Sequence, residues 1–493
     1  MYISCGSVGD FDIVAHFVFE GEKPKLAPAE MKIADAAMGR KEFEGKAGTS
    51  LVIRAGRGAS VLLGLGKEGE FELDILRQAS ARAALFGRET KLKFVGMAFS
   101  AQAAKLCNGA RAYAEAICEG AYLSLYKFDK YKAKDSGEKD LEALVLQVDG
   151  RKEEIRQGME YAKAVCEASA FARDIANESG DAGSPGAIAE KVRKMAGKNK
   201  LKFACLSAKE CGKLGMEAYL SVSAGSDKEP KFVVLRHKPS KPRGKVCLVG
   251  KGVTFDSGGI SIKTGKDMDK MKHDKCGAAA VFGALMAAAK LKLPIEVVGI
   301  VPLVENMPSG SAVKPGDIVR ASNGTTIEVQ NTDAEGRLIL ADALVFAQKE
   351  KPDAIIDLAT LTGATSIALG SQAAALLGNT QWLNIRILDA GNSVHERVWE
   401  LPLWKEYGEQ MKGEFSDLKN ISGDGEAGAI TAASFLSNFS GVAPWAHIDI
   451  AGTAYSYKPK AYFPQVGANG FGVRLLAKLL AEWEKPPAKK KKK

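Results

Sequence analysis

The chain has 493 residues, too many for one ordinary hydrophobic core, so two or three domains are expected. With 46% hydrophobic and 26% charged residues it has the composition of a globular protein. No apolar run reaches about 18 residues and no charged leader precedes an apolar stretch, which excludes a spanning helix and a secretory signal and leaves no membrane partner. The net charge of +10 owes five units to the block Lys489–Lys493, so the rest of the chain is only mildly basic.

In chain order, "DIVAHFVF", "SLVIRA", "SVLLGLG", "KLKFVGMA" and "LEALVLQV" are short, bounded and rich in β-branched residues, and predict strands within the first 150 residues. Helical periodicity covers 71–87 and 100–126 between them. "GLGKEG" reads as a strand-end turn, because the phosphate-loop pattern GxxxxGK[ST] is absent. A long helix is predicted from about residue 152 to Asn177, closed by "NESGDAGSPG". A second α/β pattern follows, with strands in "KFVVLRH", "KVCLVG", "IEVVGIVPL", "AIIDLATL" and "WAHIDIAG" and helices near 275–290, 336–349, 428–439 and 471–484. The expected organisation is an N-terminal α/β domain over 1–150, a connecting helix over 151–180, a larger α/β domain with a central mixed sheet over 181–484, and a lysine-rich disordered tail over 485–493.

The eight cysteines (Cys5, Cys107, Cys118, Cys166, Cys205, Cys211, Cys247, Cys276) are scattered without a CxxC pair, as expected of reduced thiols in a cytoplasmic protein. The basic tail offers a second reading as a salt-sensitive nucleic-acid contact. No aromatic residues are interleaved with its lysines, which favours a solvated end.

The chemistry concentrates around "KGVTFDSGGISIK", residues 251–263. Asp256-Ser257-Gly258-Gly259 resembles the nucleophile loop of trypsin-like serine proteases, but Phe255 precedes the aspartate where those enzymes carry glycine. None of the five histidines stands in a motif that would serve Ser257. His395-Glu396 lacks the second histidine of HExxH, so a zincin site is excluded as well. The acidic residues say more. Asp256, Asp274 in "MKHDKCGAAA", and Asp333 and Glu335 in "NTDAEGRL" fall at the ends of consecutive α/β elements, where open sheets bind ligands. Asp274 or Asp333 alone would read as a helix cap. Four acids with Lys251, Lys263 and Arg337 on glycine-rich loops read instead as a site for a divalent ion such as Mn²⁺, Mg²⁺ or Zn²⁺.

"VGKGVTFDSGGISIK" and "NTDAEGRL", with "PSGSAVKPGDIV", "DLATLTGA" and "WAHIDIAGTA" in the same order, resemble the signatures of the leucyl (cytosol) aminopeptidases, two-metal exopeptidases. The resemblance spans about residues 160 to 484. It implies two divalent ions per subunit, Mn²⁺ or Zn²⁺, held by Lys251, Asp256, Asp274, Asp333 and Glu335, with Asp256 and Glu335 bridging. It implies Lys263 and Arg337 as the catalytic residues that are not ligands. Through the family's bridging-hydroxide mechanism it implies removal of an N-terminal leucine or other apolar residue from short peptides. It further implies a bicarbonate held by Arg337 and the backbone from Leu361 to Gly363, a homohexamer, and relatives that double as DNA-binding accessory factors. Met271, Thr360 and Ala454 are candidates for the side-chain pocket. Two departures stand out: Lys275 follows Asp274 where methionine is common, with its side chain expected to point away from the ions, and Ser179 occupies a usual proline position. His273 beside Asp274 is read as structural, since the ligand set is complete without it.

Overall fold

The computed structural model describes residues 2–6, 11–55, 58–133, 141–147, 150–456, 461–463 and 466–486. Most of the lysine-rich tail, residues 487–493, lies outside the described residues. By their contacts the residues form two compact units, Met1–Cys166 with Lys458–Gln465, and Glu167–Tyr457 with Val466–Lys493. The predicted long helix, Lys152–Asn177, runs from the first unit into the second.

The first unit is built on a six-stranded mixed sheet: β1 (Tyr2–Gly6), β2 (Ile13–Phe19), β3 (Ser50–Ala55), β4 (Gly58–Gly66), β5 (Phe94–Met97) and β6 (Ala143–Gln147), in the order β1-β6-β5-β2-β4-β3. All pairs are parallel except β3 with β4. Parallel neighbours need crossovers, which the helices between strands provide. The predicted helix over 100–126 is two, Ala101–Leu106 and Ala110–Ser124. Asn108 at φ 61° and Gly109 at φ 125° break it, because left-handed backbone cannot continue a right-handed helix.

The second unit carries β7 (Lys202–Leu206), β8 (Lys231–His237), β9 (Lys245–Gly250), β10 (Gly252–Asp256), β11 (Glu296–Asn306), β12 (Ile318–Arg320), β13 (Thr326–Glu328), β14 (Ala354–Ala359), β15 (Ala374–Gly378), β16 (Val398–Glu400), β17 (Leu418–Lys419), β18 (Trp445–Asp449), β19 (Tyr455–Ser456) and β20 (Gly467–Ala468). Nine of them form one sheet in the order β16-β15-β18-β14-β9-β11-β8-β7, with β10 against β11. The fold is thus two α/β domains on mixed sheets, the larger one C-terminal. The central strands β9, β14 and β18 run parallel and are buried almost throughout, so helices must cover both faces. The alanine-rich helix Cys276–Lys290 is buried nearly all round, as expected of a helix packed inside a large domain. Helix Gly336–Lys349 is likewise largely buried and joins the principal core cluster with Ile355, Ala359 and Trp445. The consequence for function is directional: β9, β10, β14 and β18 deliver Lys251, Asp256, Thr360 and Asp449 at their carboxyl ends, where open α/β sheets place their ligands.

Candidate metal centre and active site

The short turn between Asp256 and Lys263 is what folds the motif into a site. Gly258 and Gly259 adopt φ 89° and 66°, a region glycine enters without penalty. A Cβ on Gly258 would lie 2.5 Å from the Ser261 carbonyl oxygen and 2.9 Å from Asp333 Oδ1. Thr332 clamps the turn: its hydroxyl donates to the Gly258 carbonyl at 2.7 Å and accepts from Ser261 N at 2.8 Å. Asn306, the last residue of β11, donates through Nδ2 to Asp256 Oδ1 at 2.8 Å and to the Thr332 carbonyl at 3.1 Å. Asp256 and Asp333, far apart in sequence, are thereby held against each other.

Ser257 is not presented as a nucleophile. Its hydroxyl donates to the Asn306 carbonyl at 2.8 Å and accepts from Gly259 N at 3.2 Å, so its proton is engaged by backbone and not by a histidine.

Carboxylate oxygens of Asp256, Asp333 and Glu335 lie within 4.8 Å of one another. Asp274 joins them through Lys251, whose Nζ is 2.7 Å from Asp274 Oδ2, 2.8 Å from Glu335 Oε1 and 3.0 Å from the Thr360 carbonyl. Lys263 Nζ is 2.9 Å from Asp256 Oδ2 and also pairs with Asp333. The structure therefore brings together all seven charged residues singled out above except Arg337, which lies two residues beyond Glu335 with its Nη1 donating to the Asn420 carbonyl.

Burial opposes the charge on Lys251, but Asp274, Glu335 and Asp256 outweigh it and raise its pKa. Lys263 behaves alike, raised by Asp256 and Asp333 against its partial burial. Burial first, and then the Asp256 charge, push Glu335 up to about 8. Asp274 is pushed up to about 6 by burial, against the pull of Lys251. Carboxyls crowded until they resist ionisation are what a divalent cation relieves. The donor set fits such an ion: hard carboxylate oxygens dominate, and Glu335 Oε2 is buried with no hydrogen-bond donor. Coordination by Lys251 needs the neutral amine, so loading an ion there is coupled to release of its proton.

The residues expected in the pocket fare differently. Thr360 is buried and donates its hydroxyl to Asp274 Oδ1 at 2.7 Å, so it supports a carboxylate of the cluster. Met271 is half-buried on the turn Met268–Lys275, and Ala454 is buried. In the loop after β14, the Leu361 and Thr362 N–H groups donate to Asp449 at 3.1 Å each; Gly363 begins the following helix. Arg337 is pushed down to about 10 by burial, against Glu335 and Asp449, and its Nε is buried without a partner. His273 is buried, its ring 4.9 Å from that of Tyr455, and burial holds its pKa down to about 4.

Asn306, Thr332, Asn420 and Asp449 position the site but were not singled out from the sequence. Thr332 and Asp449 fall inside the motifs "NTDAEGRL" and "WAHIDIAGTA", but like Asn306 and Asn420 they act through contacts to residues remote in the chain, which no local pattern shows.

Fold and site together define a leucyl aminopeptidase-type metallo-exopeptidase. Residues 170–477 match the catalytic domain of the cytosol aminopeptidase family and residues 17–135 its N-terminal domain. The chain is 44% identical over 477 residues to the protein named "Probable cytosol aminopeptidase" of Geobacter sp. (strain M21), covering 94% of this chain and 95% of that one. Among solved structures, a tomato leucine aminopeptidase variant superimposes with a TM-score of 0.88 at 31% identity, covering 97% and 96% of the two chains. The bottromycin maturation enzyme BotP in complex with Mn superimposes with a TM-score of 0.85 at 33% identity, covering 96% and 99%. The chain belongs to the cytosol aminopeptidase family. Among its described residues no helix is long and apolar enough to cross a membrane.

Proposed function

We propose that the enzyme removes the N-terminal residue, preferably leucine or another apolar residue, from short peptides in the cytoplasm, using two divalent ions (Mn²⁺ or Zn²⁺) held by Lys251, Asp256, Asp274, Asp333 and Glu335. The observation that carries this reading is the convergence of the Asp256, Asp333 and Glu335 carboxylates within 4.8 Å, flanked by two lysines. When bound, the ions supply the water nucleophile, polarise the scissile carbonyl and anchor the substrate's α-amine.

The chain's own residues divide the remaining work. The Lys251 side chain is only 4% exposed, whereas that of Lys263 is 23% exposed. Lys251 therefore serves as an inner ligand, and Lys263 is the ammonium a substrate can reach, placed to stabilise charge developing on the carbonyl oxygen. Every carboxylate of the cluster is committed as a ligand, which leaves none as general base. Arg337, with an unpartnered buried Nε, is the residue to hold a bicarbonate for that task, since its planar fork suits an oxyanion. Gly363 is the backbone partner we assign it, Leu361 having its N–H committed to Asp449. Met271, the methyl of Thr360 and Ala454 line the side-chain pocket in this reading.

The enzyme is proposed to work as a homohexamer.

The test is a pair of substrates with manganese-loaded enzyme. Leucyl amide should be cleaved and N-acetyl-leucyl amide should not. Comparable rates on both would remove the exopeptidase reading.

A further inference from the structure

Lys275 follows Asp274 directly, yet its ammonium turns to backbone. Nζ donates to the carbonyl oxygens of Glu178 at 3.0 Å, Thr254 at 3.3 Å and Lys272. The residue is fully buried, and among the described residues no carboxylate pairs with it. Burial works against its charge, opposed by Glu178 and Asp274 at a distance, but three carbonyl acceptors around Nζ call for three N–H donors, which only the ammonium supplies.

The three carbonyls come from three separate segments, two of which carry residues of the candidate metal centre. Glu178 lies just past the helix Lys152–Asn177. Thr254 is in β10, just ahead of Asp256. Lys272 is in the turn Met268–Lys275 that carries Asp274. Carbonyl oxygens converging on a compact, desolvated positive charge form the coordination by which proteins bind monovalent cations. With no charge among them, the negative ends of three carbonyl dipoles would face one another in a dry site and push the segments apart.

We propose that Lys275 is a positioning residue whose tethered ammonium takes the place of a monovalent cation, tying β10 to the turn Met268–Lys275 so that Asp256 and Asp274 are held in register. Its effect on turnover rests on the metal-centre reading above. Its effect on the fold does not, because the carbonyl cluster is a site in its own right.

The experiment replaces Lys275 with alanine, which opens the space an ion would fill. Thermal melting of metal-free protein and turnover of manganese-loaded protein are measured in potassium, ammonium and tetramethylammonium chloride at equal ionic strength. The wild type should be indifferent to the salt. In tetramethylammonium, whose ion is too large for the cluster, K275A should melt lower and lose about 10–100-fold in turnover, the range for residues that orient metal ligands. Potassium or ammonium should restore both, and rubidium should give an anomalous scattering peak at the three carbonyls. If K275A behaves alike in all three salts, whether unimpaired or uniformly impaired, the proposal fails. Should K275A not survive purification, its refolding yield in potassium against tetramethylammonium decides, and equal yields overturn the proposal. Melting of K275A restored by potassium, beside a manganese-loaded wild type with no activity on leucyl amide, would keep the cation role and overturn the peptidase reading instead.

Discussion

Lys251 and Lys263 divide the four carboxylates of the site between them: Lys251 pairs with Asp274 and Glu335, Lys263 with Asp256 and Asp333. The two lysines flank β10 and the turn that follows it, and differ in how far solvent reaches them. In the function proposed above, that difference separates a ligand from a group that meets the substrate.

Lys251→Ala should therefore lower metal retention on dialysis, and excess Mn²⁺ should restore part of the activity. Lys263→Ala should keep its metal and lose about 10²–10³-fold in kcat, as for removal of an oxyanion donor. Elemental analysis beside kcat distinguishes the variants. Loss of metal from the Lys263 variant alone would reverse the two roles.

Ser257→Ala should remain active. The variant loses the hydrogen bonds to the Asn306 carbonyl and from Gly259 N, each worth about 1 kcal/mol of stability, and no reactive group. Phosphonylating reagents should leave the wild type unlabelled. A covalent adduct on Ser257 with parallel loss of turnover would contradict the metal mechanism.

Gly336→Ala should disable the centre while leaving the fold intact. A Cβ there would stand 2.5 Å from Lys251 Cε and 2.8 Å from its Nζ, so Lys251 must move off Asp274 and Glu335. The expected signature is reduced metal content and activity with an unchanged far-ultraviolet circular dichroism spectrum. Full metal content in this variant would show that Lys251 is not needed in its observed place.

A buried pair should make stability depend on pH. His447 Nδ1 lies 2.5 Å from Asp357 Oδ1 on the neighbouring strand, and Trp445 donates to Asp357 Oδ2 at 2.8 Å. Burial works against the imidazolium, but Asp357 prevails and raises the His447 pKa. A raised pKa means the native state binds the proton more tightly than the unfolded chain. The stabilisation is then fully present below the unfolded pKa of about 6.5 and is lost as pH rises through the folded value. Urea midpoints of wild type minus His447→Gln should fall with rising pH over that window. A flat difference would show that the histidine stays neutral when folded.

Local pattern carried much of the fold. The helices Lys152–Asn177 and Gly336–Lys349 and the strands Ser50–Ala55, Lys231–His237 and Lys245–Gly250 coincide with the stretches read from periodicity, because amphipathic or wholly apolar runs there are bounded by turn-forming residues. Strand β1, "YISCG", was not read: it is too short to show a period and gains its identity by pairing with β6. The acids and lysines of the centre were legible because the motif residues sit at element ends, where side chains converge. The polar residues that aim them were not. Asn306 joins Asp256 to the Thr332 carbonyl, and Asp449 gathers the amides and hydroxyls of the loop after β14. A hydrogen bond between residues this distant leaves no mark on the local sequence of either partner. Chain chemistry by itself determined which groups could bind a divalent ion. Only the tertiary structure decided that Ser257 spends its proton on a carbonyl and that Lys275 is sealed among three, since burial and the direction of a side chain are properties of what packs around it.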